Sequence, residues 1–247
     1  MQNQNLKNII IAPPFGRYLK FKETSNVYGS FTLERRKGLI KQCIKTIRKV
    51  GKNAWRNKIG LRNSGLVNIK PLKRSQDIIS LAALDISDWQ KFADILNSEE
   101  FTDCKNIEIN IGCPNALICD FPKELARLYQ GKNLIVKLPP NIDINAKITE
   151  YLDVGITTFH LCNTLPSDKG GISGYPLKEL SLPAVKLARE KFGDSLTLIG
   201  GGGVYTLEDA KEYLEAGADH LSLSSVMFNP LKGNKLVKDI LTLFQKP

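Results

Sequence analysis

Eight short runs rich in β-branched residues constrain this chain more than any other feature. They are NIIIA (8–12), VYGSF (27–31), DIISLAA (77–83), NIEIN (106–110), LIVKL (134–138), TTFHLC (157–162), LTLIG (196–200) and HLSLSS (220–225). Runs of this length and composition read as strands. Between most of them lie segments whose apolar residues recur at three- and four-residue spacing, as in SDWQKFADIL, INAKITEYLDVG, SLPAVKLAREKFG and TLEDAKEYLEAGA, the mark of amphipathic helices. Eight strand–helix units predict an α/β chain folded as a TIM (β/α)8 barrel, and 247 residues is close to the ~250 that one such barrel typically needs. Helix punctuation agrees: Ser87, Asp143 and Thr206 stand at N-cap positions, Thr206 with Asp209 in a capping-box-like pair, and Gly155, Gly193 and Gly217 follow helix ends. About a dozen residues separate the first two runs, too few for an ordinary crossover helix, so the first unit is expected to be stunted. No composition break divides the chain, and residues 1–247 read as one barrel domain.

Composition narrows the setting. No stretch approaches the roughly 18 apolar residues of a membrane span, and the first apolar run is too short for a signal sequence. Five cysteines, with no CxxC pair, speak against a disulfide framework or a zinc site, and no metal is expected. The chain is read as soluble and cytoplasmic. Its net charge of +10 is unevenly placed: residues 35–74 carry 14 Lys or Arg and no Asp or Glu, against 21 basic and 25 acidic residues elsewhere. One reading is a solvated helix face, because GLIKQCIKTIRKV puts Leu39, Ile40, Ile44, Ile47 and Val50 on one side and lysines on the other. The other is contact with an anionic partner, RNA or a lipid surface.

In a TIM barrel the active site forms at the C-terminal ends of the strands, and unusual polar residues fall there together. They are Ser30, Asn110 with Cys113 and Asn115, Lys137, Asn163 with Thr164, the glycines 200–203, and Ser224 with Ser225. Each alone has an ordinary explanation as a turn former or snorkelling side chain; their shared topological position weakens it. Glycines after the seventh run and serines after the eighth occupy the place where barrels commonly bind phosphate, which points to a phosphorylated ligand. Lys137 facing the barrel mouth would stabilise negative charge on an aromatic cofactor or substrate. Three carboxamides suit the edge of a small heterocycle with alternating carbonyl and N–H groups, such as a pyrimidine.

The chain resembles the dihydroorotate dehydrogenase family, flavin-dependent barrels of pyrimidine biosynthesis. The likeness runs in order through GSFTLERRKG (29–38), NKIGLRNSG (57–65), INIGCPN, VKLPPN, NT, GGISGYPLKELSLPAVKLARE and LIGGGGVYTLEDAKEYLEAGA. GGISG followed by a helix and a glycine-rich strand end is specific in combination; GCP alone also resembles tRNA dihydrouridine synthases. The resemblance implies FMN held by Ser30, Asn110, Lys137, Gly202, Gly203, Ser224 and Ser225. It implies a substrate pyrimidine held by Asn57, Asn110, Asn115, Asn163 and Thr164, with Gly60 and Leu61 near the substrate carboxylate. Cys113 stands where the cytosolic type carries a cysteine general base, which takes the C5 proton of dihydroorotate while hydride passes from C6 to the flavin. Membrane-bound relatives place serine there and add an N-terminal membrane-associating segment, and this chain is expected to have neither. Cytosolic-type relatives are usually dimers.

Two departures from the pattern stand out. Gly29 occupies the position of a family lysine beside flavin and substrate carboxylate, leaving Arg62 and Arg17 as candidate replacements. The segments after Asn115 and Thr164 are also short, so shortened active-site loops are expected. Oxidation of dihydroorotate is the first expectation. A related flavin oxidoreductase acting on another pyrimidine, including a tRNA dihydrouridine, is the second, although only about 20 residues follow the last run. The third is a barrel that binds FMN or phosphate without turnover. Fumarate, quinone, oxygen or an iron–sulfur partner would each accept electrons from the same reduced flavin.

Overall fold

The structure, a computed structural model, describes residues 5–114 and 116–245. Its elements in chain order are β1 (Ile9–Ile11), β2 (Thr24–Phe31), α1 (Leu39–Thr46), β3 (Arg48–Gly51), β4 (Ala54–Asn57), β5 (Ile78–Leu81), α2 (Asp88–Leu96), β6 (Asn106–Asn110), β7 (Asn133–Lys137), α3 (Ile144–Leu152), β8 (Thr158–Leu161), β9 (Leu165–Ser167), β10 (Gly170–Gly174), α4 (Lys178–Phe192), β11 (Thr197–Gly201), α5 (Leu207–Glu215), β12 (His220–Leu223) and α6 (Pro230–Leu241).

The eight β-branched runs are the eight strands of a closed parallel barrel, ordered β1-β12-β11-β8-β7-β6-β5-β2. Closure is made by β1, where Ile9 pairs with Leu221 on one side and Thr24 on the other. Alternation along each strand sorts the core. One parity sends Leu6, Ile10, Val27, Ile78, Ile135 and Ile199 into a cluster of their own. The other sends Ile9, Ile79, Ile107, Ile109, Val136, Phe159 and Leu198 against Trp89, Phe92, Tyr151, Val185 and Tyr213 from the outer layer. On β6 the parity opposite to Ile107 and Ile109 is occupied by Asn106, Glu108 and Asn110, all buried.

The outer layer is irregular. Only a 3-10 turn at Phe15–Arg17 separates β1 from β2, the stunted unit that the sequence implies, and a 3-10 segment, Lys123–Leu128, replaces the helix between β6 and β7. The capping box of Thr206 and Asp209 is formed, and Asp143 accepts from the N–H of Ala146. Ser87 makes no cap hydrogen bond, because its hydroxyl donates to Asp85 while the Asp88 carboxylate takes the N–H groups of Leu84 and Asp85.

The amphipathic pattern over 38–50 does not make one helix. It stops at Thr46; Ile47 is extended, and Val50 lies in β3. The β-branched Ile47 and Val50 favour strand, and Asn53, at φ 58°, supplies the left-handed turn into β4. Strands β3 and β4 join β10 and β9 in an antiparallel sheet ordered β3-β4-β10-β9. The segment after Thr164 is therefore a two-stranded excursion, with Gly171 paired to Asn57 and Ser173 to Trp55. Trp55 stacks on Phe228 at 4.0 Å, and Phe15 meets Phe228 edge-on at 4.9 Å. These contacts dock the sheet on the barrel end where β1 and β12 finish.

Candidate active site

Inside the barrel, one polar chain runs from β8 to the strand ends. The Glu108 carboxylate accepts from Ser80 Oγ at 2.7 Å and lies 2.7 Å from His160 Nδ1 and 3.7 Å from Lys137 Nζ. Ser80 spends its single proton on Glu108, so at the 2.8 Å contact between Ser30 and Ser80 it is Ser30 that donates. Asn110 Nδ2 donates to Ser30 Oγ at 2.8 Å, Asn163 Nδ2 donates to Asn110 Oδ1 at 2.9 Å, and Thr164 N–H donates to Asn163 Oδ1 at 2.9 Å. Each of the two carboxamides has thus committed its oxygen and one N–H.

Charge is settled by the same contacts. Burial alone would push Glu108 up, but Lys137, then His160 and Ser80, outweigh it and hold the carboxyl at about 2. Burial, reinforced by Lys137, holds His160 below its ordinary value despite Glu108. The imidazole is then neutral, with Nδ1–H donated to Glu108 and a lone pair on Nε2. That Nε2 is buried without a hydrogen-bond partner, on a residue that lines the cavity at the barrel mouth.

The cavity measures about 540 Å³. The strand ends contribute Ser30, Asn110, Cys113, Lys137, Asn163, Thr164, Gly202, Gly203, Ser224 and Ser225; the β4 segment contributes Asn57, Gly60, Leu61 and Arg62. Every residue expected to hold cofactor or substrate lines this one cavity except Asn115, which lies outside the described residues; of the glycines 200–203, Gly200 packs against Ala218 and Tyr213 and Gly201 against Ser222, and neither lines it. Ser224 donates its hydroxyl to the carbonyl of Pro13 at 2.8 Å, and buried Ser225 opens a 3-10 helix whose first N–H groups are not needed within it. Gly202 and Gly203 hold φ of 100° and 75°. A Cβ at Gly202 would meet Leu177 at 2.9 Å and Ser181 at 3.0 Å, so the barrel wall demands glycine there whatever the ligand.

Three thiols line the cavity, those of Cys43 on α1, Cys113 and Cys162. Cys43 and Cys162 are half-buried, and desolvation pushes both thiols up, that of Cys162 to about 11. Cys113 is half-buried, in the loop after β6, where Gly112 lies against the ring of Pro139. Two cations stand at the rim. Arg17 is exposed. Arg62 is anchored by NH1 donating to the carbonyl of Lys37 at 2.8 Å, and its buried Nε has no partner. Leu61 beside it holds φ 53°, a conformation that a branched side chain rarely adopts and that clusters at functional sites. Gly29 has φ 123°, and a Cβ there would collide with the carbonyl of Ser80 and, at 2.7 Å, with the nitrogen of Phe31. No lysine fits on this backbone.

Sequence reasoning missed Ser80, Glu108, His160 and Cys162. The available signal was parity: Glu108 shares its face with Asn110, and His160 precedes Cys162 on the face of β8 that enters the barrel.

A profile of the dihydroorotate dehydrogenase family matches residues 17–245. The chain belongs to the dihydroorotate dehydrogenase family. It is accordingly an oxidoreductase-family enzyme, and the family is FMN-dependent. A putative dihydroorotate dehydrogenase A (fumarate) of Aquifex aeolicus is 29% identical over 219 residues, 74% of this chain and 71% of that protein. The catalytic subunit of dihydroorotate dehydrogenase B (NAD(+)) of Oceanobacillus iheyensis is 28% identical over 269 residues, 92% and 86% of the two chains. A dihydroorotate dehydrogenase (quinone) of Legionella pneumophila is 28% identical over 232 residues, 77% and 68%. Relatives named for three acceptors match equally, so the dihydroorotate dehydrogenase subtype is not resolved by identity. In fold, the chain is similar to a DHODH from Eimeria tenella solved with ferulenol: TM-score 0.75, 18% identity, 96% of this chain and 81% of that one.

Proposed function

We propose that this chain binds FMN at the barrel mouth and oxidises dihydroorotate to orotate, with Cys113 as the general base, as in the cytosolic type. The observation that carries the reading is the convergence, on one cavity, of a half-buried thiol, two tethered carboxamides and a lysine held by a buried carboxylate. The donor set fits the cofactor: Lys137 for the ring, Ser30 and Asn110 beside it, and Gly203 with Ser225 at the phosphate position of the fold. The uncommitted Nε2 of His160 supplies an acceptor for a cofactor hydroxyl or N–H. Bound FMN supplies the hydride acceptor. Lys137 stabilises the negative charge that reduction brings, in a shielded site where such stabilisation is strong.

Asn110 and Asn163 each retain one amide N–H after their mutual bonds, and two donors of this kind suit the carbonyl oxygens of a dihydropyrimidine. Cys113 takes the C5 proton while hydride leaves C6, so the rate rises with pH until the thiol is ionised. Cys162, at about 11, stays protonated and is no base at neutral pH. Arg62, with its Nε uncommitted, stands as the carboxylate partner.

Gly29 favours a second reading. Its backbone excludes the cation that the family keeps there, which suits a dihydropyrimidine without a carboxylate. The test is the absorbance spectrum of purified, flavin-loaded protein before and after anaerobic dihydroorotate or dihydrouracil. Bleaching by dihydroorotate at low concentration supports the first reading, and equal bleaching by dihydrouracil supports the second. No bleaching by either compound overturns both.

A further inference from the structure

Lys137 is the cation that meets the cofactor ring in the reading above, yet its charge is already matched. The Glu108 carboxylate lies 3.7 Å from its Nζ, inside the barrel, and accepts from Ser80 Oγ at 2.7 Å. His160 adds nothing to the sum, because burial and then Lys137 keep its imidazole neutral. The three side chains therefore carry no net charge while the ring is oxidised. Two electrons arriving with one proton, as a hydride, leave the ring with one negative charge, and an unmatched charge in a shielded site is costly.

The vacant place for a matching proton is Nε2 of His160. The residue is 1% exposed, its Nε2 has no hydrogen-bond partner, and the side chain lines the cavity. The titratable groups around it are committed. On β7, Lys137 stands beside His160 in register and is already a cation. On β6, Glu108 stays ionised against its burial, through Lys137, His160 and Ser80. On β8 itself, desolvation pushes the Cys162 thiol up to about 11, so it holds its proton. On β11 the neighbour in register is Ile199, which offers no charge. A proton added at Nε2 also leaves the 2.7 Å contact of Nδ1 with Glu108 in place, so the network need not be rebuilt to receive it.

We propose that His160 takes up a proton at Nε2 when the bound cofactor is reduced. Two electrons and one proton then reside on the ring as the transferred hydride, a second proton drawn from solvent resides on the imidazole, and the charge inside the barrel is unchanged. The inference rests on FMN binding in this cavity and not on the identity of the substrate.

The test uses the flavin-loaded full chain reduced by dithionite, so that no substrate is needed. The chain has two histidines, and His220, at the start of β12 with its Nδ1 3.0 Å from the carbonyl of Lys7, is an internal reference. NMR of ring-nitrogen-labelled histidine at about pH 7 should show His160 passing from neutral to doubly protonated on reduction, with His220 unchanged. The flavin midpoint potential should fall by ~59 mV per pH unit between about pH 6 and 7.5, two protons for two electrons, against ~30 mV in His160→Gln and in His160→Asn, each proton being a tenfold factor in the reduction equilibrium per pH unit. Asparagine keeps a donor near the Nδ1 position, glutamine keeps the reach, and neither titrates. An imidazole that stays neutral in the reduced protein overturns the proposal, as does a wild-type slope in either variant, which would put the second proton on the cofactor. A chain that holds no FMN overturns this inference together with the reading beneath it. Flavin bleached by dihydroorotate while His160 stays neutral overturns this one alone.

Discussion

Three half-buried thiols share one cavity, and desolvation suppresses the ionisation of two of them, Cys43 and Cys162. Cys162 sits in the barrel wall, where Tyr213 and Ser181 are its neighbours in the electrostatics, and its ionisation is suppressed to about 11. Cys113 is half-buried on the loop that packs against Pro139. If Cys113 removes the C5 proton, Cys113→Ala should keep its flavin and reduce it by dihydroorotate about 10²–10⁴-fold more slowly, the usual worth of a general base. Cys162→Ala should reduce flavin within a few-fold of wild type. Anaerobic stopped-flow bleaching of the two variants decides the matter, and a wild-type rate in Cys113→Ala would return that thiol to a loop residue. Cys113→Ser should fall between the two at high pH, because a hydroxyl is a far weaker acid.

Among the elements, the sheet β3-β4-β10-β9 depends on few contacts with the barrel. The stack of Trp55 on Phe228 links β4 to the 3-10 turn that Ser225 opens. Trp55→Ala should lower stability by roughly 2 kcal/mol, combining the aromatic pair with partial burial, and should weaken flavin retention as the turn loses its neighbour. Urea unfolding and a flavin dissociation constant check both, and a variant that loses stability but holds flavin as wild type would detach the sheet from the phosphate position. This sheet also marks where sequence reading fails. The barrel strands are legible because each is a β-branched run with a buried parity. RKVG opens on two charges and is exposed on every residue, and AWRN and GGISG are too short and mixed to carry a period. The site residues at strand ends are legible from position alone, since the barrel topology delivers them to one mouth. Glu108 and His160 lie one step below that mouth. Only strand parity separates them from ordinary buried polar residues, and their partners are 28 to 52 positions away.

For the whole molecule, the buried charge set predicts how stability depends on pH. His160 and His220 are both held below the ordinary histidine value of 6.5, in each case chiefly by burial. A base whose folded value is depressed contributes stability above its unfolded value and loses it as pH falls, because the unfolded chain takes up protons that the folded one refuses. Glu108, depressed from 4.5 to about 2, acts in the same direction at lower pH, and at ~1.36 kcal/mol per unit it accounts for roughly 3 kcal/mol. On the alkaline side, burial raises Tyr129, Tyr151 and Tyr213, so their contribution is present below the ordinary tyrosine value and disappears as pH rises past it. Stability should therefore be level from about pH 7 to about 9, fall first below the ordinary histidine range, and fall again below about 4. Urea midpoints measured across that range test the shape. His160→Gln should flatten the first step, because the glutamine takes up no proton in either state. Glu108→Gln should remove much of the second, and should cost about 3–5 kcal/mol at pH 7 by leaving Lys137 without its buried partner. Equal midpoints for wild type and Glu108→Gln at pH 7 would mean that the network inside the barrel does not hold Lys137, and the electrostatic support for a reduced flavin would have to come from elsewhere in the site.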